Sequence, residues 1–236
     1  MSGRTMHAIS MKRQAKYVHS FDDLVSTTLR GDFNAVGWKR DLQGDFAEIV
    51  RKLRPEGNIT TIEPEDLQEL SLSEKGAQAR ETIVNDMALL TAHGADPVLN
   101  LIHSYDRDDS NAFFPTDVYS FHMDRSPVPT HTLLCTYHGR PSERLANARA
   151  MQKVRIPEIR ARLRASHEGD DESFETYLSE HFYDLHYQPV AGARALSLGV
   201  GHLWKLSVDH PGSGVLPCVH RAPREKSGQP RLLLIC

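Results

Sequence analysis

The sequence predicts an α+β protein, a barrel or jelly roll of short strands with helices packed before it and inserted into it. Three observations carry this. Capped, periodically apolar segments fill the first hundred residues. Short β-prone runs between turn signals begin after Pro97. A second helical stretch then divides those runs into two groups, and many short strands with tight turns are the mark of barrels and jelly rolls.

Taken in order, Ser20 is placed to cap a helix starting at Phe21. Residues 41–53 repeat apolar side chains at Phe46, Ile49, Val50 and Leu53, a helical stripe. Pro64-Glu65-Asp66 has the form of a first turn, with proline early and acids near the positive end of the dipole. Residues 73–93 form a longer amphipathic helix stopped by Gly94. Residues 1–96 therefore read as mainly helical support. Strand runs follow at 98–102, 117–122 and 132–137. Residues 141–187 turn helical again, with 168–172 as an exposed acidic turn, and a long excursion of this kind suits a lid. Strands return at 195–198, 203–208, 215–221 and 231–235, separated by turns at 211–214 and 226–229. The chain reads as a single domain over 1–236, its β core made of 97–140 and 194–236.

Composition excludes several classes. A net charge of −3 offers no field for nucleic acid or an anionic membrane surface. No apolar run is long enough to span a bilayer, and Met1–Met6 lacks the apolar centre of a secretory leader. Cys135, Cys218 and Cys236 are odd in number and widely spaced, which predicts free thiols and a cytoplasmic protein. Of 13 histidines, nine lie from His122 onward, which directs the search for a metal site to the second half.

His122-Met123-Asp124 is the most informative motif. On a strand, residues two apart share a face, so His122 and Asp124 project together. A third ligand from a distant strand completes two histidines and a carboxylate, the set that holds non-haem Fe(II) with open positions. His220 fits: the midpoint between 220 and 231 falls inside the turn 224–228, so a final hairpin would set His220 opposite Arg231 on one face. There Arg231 would take a carboxylate in bidentate fashion. His210 with Arg221 has the same spacing, but its midpoint misses the turn at 211–214, which makes it the weaker alternative. If residues 125–130 join antiparallel strands, His131, Leu133, Cys135 and Tyr137 share the inward face with His122 and Asp124. Tyr137 is then either a hydroxyl donor to a bound keto acid or a core tyrosine. Arg125, Arg221 and Trp204 are candidate substrate contacts, each with a salt-bridge or core role as the alternative.

On His122-x-Asp124, His220 and Arg231 the chain resembles the Fe(II)/2-oxoglutarate-dependent oxygenases, whose core is a double-stranded β-helix. Gly37-Trp38-Lys39-Arg40, Cys135-Thr136-Tyr137-His138-Gly139, Val219-His220-Arg221-Ala222-Pro223 and Pro230-Arg231-Leu232-Leu233-Leu234 also resemble a bacterial family known as a domain of unknown function (DUF1826-like). The resemblance implies Fe(II) at His122, Asp124 and His220, 2-oxoglutarate at Arg231, and O2 as oxidant. It implies oxidation of an aliphatic C–H, by hydroxylation, desaturation or ring closure, of a small molecule such as an amino acid or natural-product intermediate. Two departures stand out. Leu233 occupies a place where many oxygenases carry serine or threonine, and the 141–187 insert is this chain's own. The retained carboxylate at Asp124 disfavours halogenation. A cupin-like metalloenzyme without 2-oxoglutarate and a non-catalytic small-molecule-binding barrel are the rival classes.

Overall fold

A computed structural model describes residues 14–107, 113–224, 226 and 228–236. The first residues read above for a leader, and Glu225 and Ser227 of the expected hairpin turn, lie outside them. In chain order the strands are β1 (Ala15–Val18), β2 (Ala35–Trp38), β3 (Ile59–Ile62), β4 (Val98–Ile102), β5 (Phe121–His122), β6 (His131–His138) and β7 (Glu143–Leu145). They continue with β8 (Ala150–Gln152), β9 (His186–Pro189), β10 (Leu196–Ser197), β11 (Leu203–Ser207), β12 (Val219–Arg221) and β13 (Arg231–Ile235). The helices are α1 (Phe21–Ser26), α2 (Phe46–Lys52), α3 (Pro64–Gln68), α4 (Glu74–Ala92), α5 (Pro157–Ser166) and α6 (Asp171–Glu180).

Two mostly antiparallel sheets result. One has seven strands in the order β1-β2-β11-β6-β13-β4-β3, the other six in the order β10-β7-β12-β5-β9-β8. From β4 to β7, and again from β10 to β13, successive strands alternate between the sheets. Side-chain parity then sorts the core into layers. Leu133, Cys135, Tyr137, Leu203, Leu232 and Leu234 face the helices, packing with Leu24, Ile49, Leu67, Ile83 and Leu90. Leu134, Trp204, Leu206 and Leu233 point the other way and meet Leu198 and Cys218 between the sheets. Each fully buried leucine in these layers contributes roughly 1.5–3 kcal/mol of transfer free energy.

Ser20 caps its helix as expected, accepting a hydrogen bond from the Asp23 amide at 3.0 Å, and Ser73, read above as the first residue of a helix, caps α4 by accepting from the Gly76 amide at 3.1 Å. Gly76 is required there, because a Cβ would collide with the Glu48 carboxylate that ties α2 to the start of α4. Gly37 is required for a similar reason: a Cβ would lie 2.7 Å from the Trp204 ring.

Three expectations change. The N-terminal segment is not simply helical: β1, β2 and β3 join the seven-stranded sheet. They are four residues each, too short for periodicity to separate them from loops, and they form because β11 and β4 offer open edges. The strand expected over 117–122 shrinks to Phe121–His122, since Asp117 folds its side chain onto the Tyr119 amide as a local turn. The insertion is not wholly helical either. Its first residues form β7, which pairs with β12, and its end forms β9, which pairs with β5.

A candidate metal centre between the sheets

The site is set by one row of the six-stranded sheet. Arg144 lies opposite His220, His220 opposite His122, and His122 opposite His186. Directly opposed residues share a face. The alternate residues Leu145, Val219, Phe121 and Tyr187 form a separate apolar cluster, so they cover the other face. Asp124 follows β5 by two residues, and its backbone oxygen is held by the Asp209 amide at 2.9 Å.

This brings His122, Asp124 and His220 together, with one ligand atom from each lying within 4.8 Å of the others. Asp124 is central: its Oδ1 is 3.8 Å from His122 Nε2 and its Oδ2 is 3.6 Å from His220 Nε2. Metal bonds to nitrogen and oxygen are about 2.0–2.2 Å, so both separations can be spanned through one ion. Both rings are oriented for this. His122 Nδ1 is 2.8 Å from the Ser120 carbonyl and His220 Nδ1 is 3.2 Å from the Cys218 carbonyl. A carbonyl only accepts, so each Nδ1 carries the proton and each Nε2 presents its lone pair to the centre. Thr132, from the inner face of β6, donates to Asp124 Oδ2 and steadies the carboxylate.

The electrostatics favour ligand forms. Burial and the neighbouring His220 push His122 down to about 4, so it is neutral at ordinary pH. Burial pushes the Asp124 carboxyl up, but His220, the Thr132 hydrogen bond and His122 outweigh it and leave a net lowering. Neutral imidazole and ionised carboxylate are the states a metal requires. The group opens on a cleft of 460 Å³ whose walls include Val118, Met123, Arg125, Phe182, Leu185 and His186.

Other expected site residues fall differently. His220 and Arg231 are not a hairpin pair: β12 pairs with β5 and β7, whereas β13 pairs with β4 and β6 in the other sheet. After Arg221 the Ala222 amide bonds to the Val118 carbonyl at 2.9 Å, and Pro223 has no amide to extend a ladder. Arg231 is nonetheless buried between the sheets, donating to Tyr105 Oη at 3.2 Å, Ser142 Oγ at 3.0 Å and Thr136 Oγ1 at 3.5 Å. Hydroxyls from three other segments stand around the guanidinium, on the face where Leu233 supplies none.

Tyr137 faces away from the site. The 125–130 connection shifts parity by one, so 132, 134 and 136 point inward while 133, 135 and 137 face the helices. The Tyr137 hydroxyl donates to Asp86 at 2.6 Å. Arg125 borders the cleft but is engaged by Asp184 at 2.6 Å, Asp209 at 2.9 Å and Ser179 at 3.0 Å. Arg221, alternating with His220, points outward to Glu143 and over the Phe121 ring. Trp204 is core, its indole N–H donating to the Leu198 carbonyl. His210 lies outside the triad with Nδ1 against Pro211 O, and His131 is exposed.

The sequence reading missed His186, Thr132 and Arg144. His186 is buried with its ring centroid 5.9 Å from that of His122. Its place depends on β9 returning from the insertion in register with β5, which no local signal specifies. Comparison with protein-family models, curated proteins and solved structures finds no match to this chain.

Proposed function

We propose that the protein is an Fe(II)/2-oxoglutarate-dependent oxygenase acting on an aliphatic C–H of a small molecule. The observation that carries this reading is the His122–Asp124–His220 group, with both Nε2 atoms turned to the carboxylate and a cleft before them. Two imidazoles and one carboxylate with open positions match the ferrous set. The order of strands supports it further. The arrangement β4-β13-β6-β11 against β5-β12-β7-β10, with the chain alternating between the sheets, is compatible with a double-stranded β-helix.

When bound, ferrous iron with 2-oxoglutarate and O2 supplies an oxidant able to break a C–H bond, with succinate and CO2 as coproducts. The chain's own residues divide the remaining work. His122, Asp124 and His220 hold the metal. Arg231, among the hydroxyls of Tyr105, Thr136 and Ser142, offers a buried cation for the distal carboxylate of the keto acid. Val118, Met123 and Leu185 give the cleft an apolar wall suited to an aliphatic group. Phe182, Leu185 and His186 come from the insertion, which is latched beside Asp124 by the Arg125–Asp184 pair and so limits water at the centre.

Anaerobic addition of Fe(II) and then 2-oxoglutarate is the test. A weak visible charge-transfer band, absent in His122→Ala and weakened in Arg231→Met, is the expected result. Metal uptake without a response to 2-oxoglutarate would favour a cupin-like metalloenzyme, and no uptake at all would leave a binding barrel.

A further inference from the structure

The two imidazole ligands are oriented by carbonyls that belong to different parts of the chain. His220 takes its direction from the Cys218 carbonyl, and the Cys218 amide is tied to the Ser207 carbonyl at 2.9 Å, at the end of β11. His122 takes its direction from the Ser120 carbonyl, 2.8 Å from its Nδ1. Ser120 is held at two further points. Its amide donates to the Asp117 carbonyl at 3.1 Å, and its hydroxyl accepts from the Lys153 ammonium at 2.7 Å. Lys153 belongs to the insertion, in the short 3-10 turn Lys153–Arg155 that follows β8.

An amide and a hydroxyl anchored to separate segments fix the frame of Ser120 at two points. The next residue, Phe121, opens β5 by pairing with Tyr187 of β9. The peptide between them is therefore set from both ends, and its carbonyl has one direction. That direction fixes the tautomer and tilt of the His122 ring, and so where its Nε2 lone pair points. The ammonium is itself held in place. It lies 5.0 Å from the Phe114 ring centroid, and Phe114 is fully buried in one apolar cluster with Leu163, Phe174 and Leu178 of the insertion. Beyond His122 the Met123 amide donates to the Leu185 carbonyl at 3.1 Å, and Arg125 pairs with Asp184. Strand β5 is two residues long, so these ties to the insertion, on both sides of the ligands, carry much of its placement.

We propose that Lys153 is a positioning residue for the metal centre: through Ser120 it sets the orientation of His122, so the insertion is built into the centre as well as covering it. The proposal rests on the metal-centre reading above, and the test separates the failure of one from the failure of the other. Visible titration of the full chain with Co(II), a spectroscopic stand-in for Fe(II), measures the affinity. Saturable binding is expected for the unaltered protein. Lys153→Met keeps an unbranched stem beside Phe114 but removes the donor. It should weaken Co(II) binding roughly tenfold, the low end of the loss that follows when a ligand's outer hydrogen bonding is disturbed, without lowering the melting temperature of the metal-free protein.

Two further readouts would not follow from a general loss of structure. Ser120→Ala removes the other end of the same contact, so the double variant should lose no more affinity than either single one. In the proton NMR spectrum of the Co(II) protein, the Nδ1 protons of His122 and His220 give two shifted, exchangeable signals. In Lys153→Met one of them should exchange faster with water and the other should not change. Arg164→Met, which breaks an ion pair with Asp171 between α5 and α6, should leave the affinity as it was. If the unaltered protein takes up no Co(II), the metal-centre reading falls and the proposal falls with it. If it binds, the proposal alone is overturned by Lys153→Met binding equally well, by losses that add in the double variant, by two unchanged NMR signals, or by an equal loss in Arg164→Met.

Discussion

Two aspartates on opposite sides of the seven-stranded sheet show what distinguishes a structural polar cluster from a site. Asp86, in the helical layer, is saturated: Arg40 grips it with two hydrogen bonds of 2.6 and 2.7 Å and Tyr137 adds a third at 2.6 Å. Asp124, between the sheets, has one hydroxyl partner and two imidazole nitrogens held at 3.6 and 3.8 Å. Its side chain remains 33% exposed, against 3% for Asp86. The first carboxylate has its lone pairs taken up by the fold, and the second keeps some of them open. Asp86 meets a guanidinium and a phenol, Asp124 a hydroxyl and two imidazoles. The difference lies in which donors come close enough to fill the coordination sphere.

The largest effect that could break this comparison is at Asp124. Asp124→Asn should abolish Fe(II) uptake in equilibrium dialysis while shifting the metal-free melting temperature only slightly, since the amide oxygen can still accept the Thr132 hydrogen bond. A large loss of apo-stability would show that Asp124 is structural after all. Arg40→Met should do the reverse. It leaves Asp86 buried without its cation and should cost about 3–5 kcal/mol in denaturant unfolding, with metal uptake by the folded fraction unchanged.

Tyr137→Phe sharpens the contrast at smaller scale. Removing one buried hydrogen bond to a charged acceptor should cost about 1.5–3 kcal/mol. Affinity for 2-oxoglutarate should be unaltered, because the hydroxyl lies on the helical face. A selective loss of 2-oxoglutarate affinity would return Tyr137 to the site.

The smallest effect is on acid stability. The Ser73 hydroxyl, Lys52 and the Ser73 amide hold the Glu48 carboxyl down to about 2, against an ordinary 4.5. Between those values the unfolded chain binds more protons than the folded one. This contribution is therefore complete above pH 4.5 and is lost as pH falls toward about 2. Glu48→Gln should flatten the acid limb of the stability profile over that window. An unchanged slope would remove Glu48 from the account of how α2 and α4 join.

Some of this was legible in local text. Ser20, Ser73 and Gly94 mark helix ends by their own chemistry, so α1 and α4 could be placed from the sequence. His122 and Asp124 lie two apart, and a two-residue spacing near a strand suffices to put them on one side. The partnership of His220 with them was anticipated for a reason that did not survive: the hairpin with Arg231 does not form, and His220 arrives by pairing with β5, at His122, 98 positions earlier in the chain. Tyr137 illustrates the opposite failure. Strand β6 was recognised, but which of its faces points inward depends on the loop before it, and a shift of one residue exchanges Tyr137 for Thr136.

What the amino-acid sequence determined by itself was therefore the inventory: capped helices, β-prone runs, a close His–Asp pair and a surplus of histidines in the second half. Only the tertiary structure decided which strands are neighbours, which parity faces the interior, and that Arg144, His220, His122 and His186 stand in one row. The reason is physical. Caps and alternation arise from interactions within a few residues, whereas sheet order and register are set by the burial of whole faces against one another, and that is a property of the assembled chain.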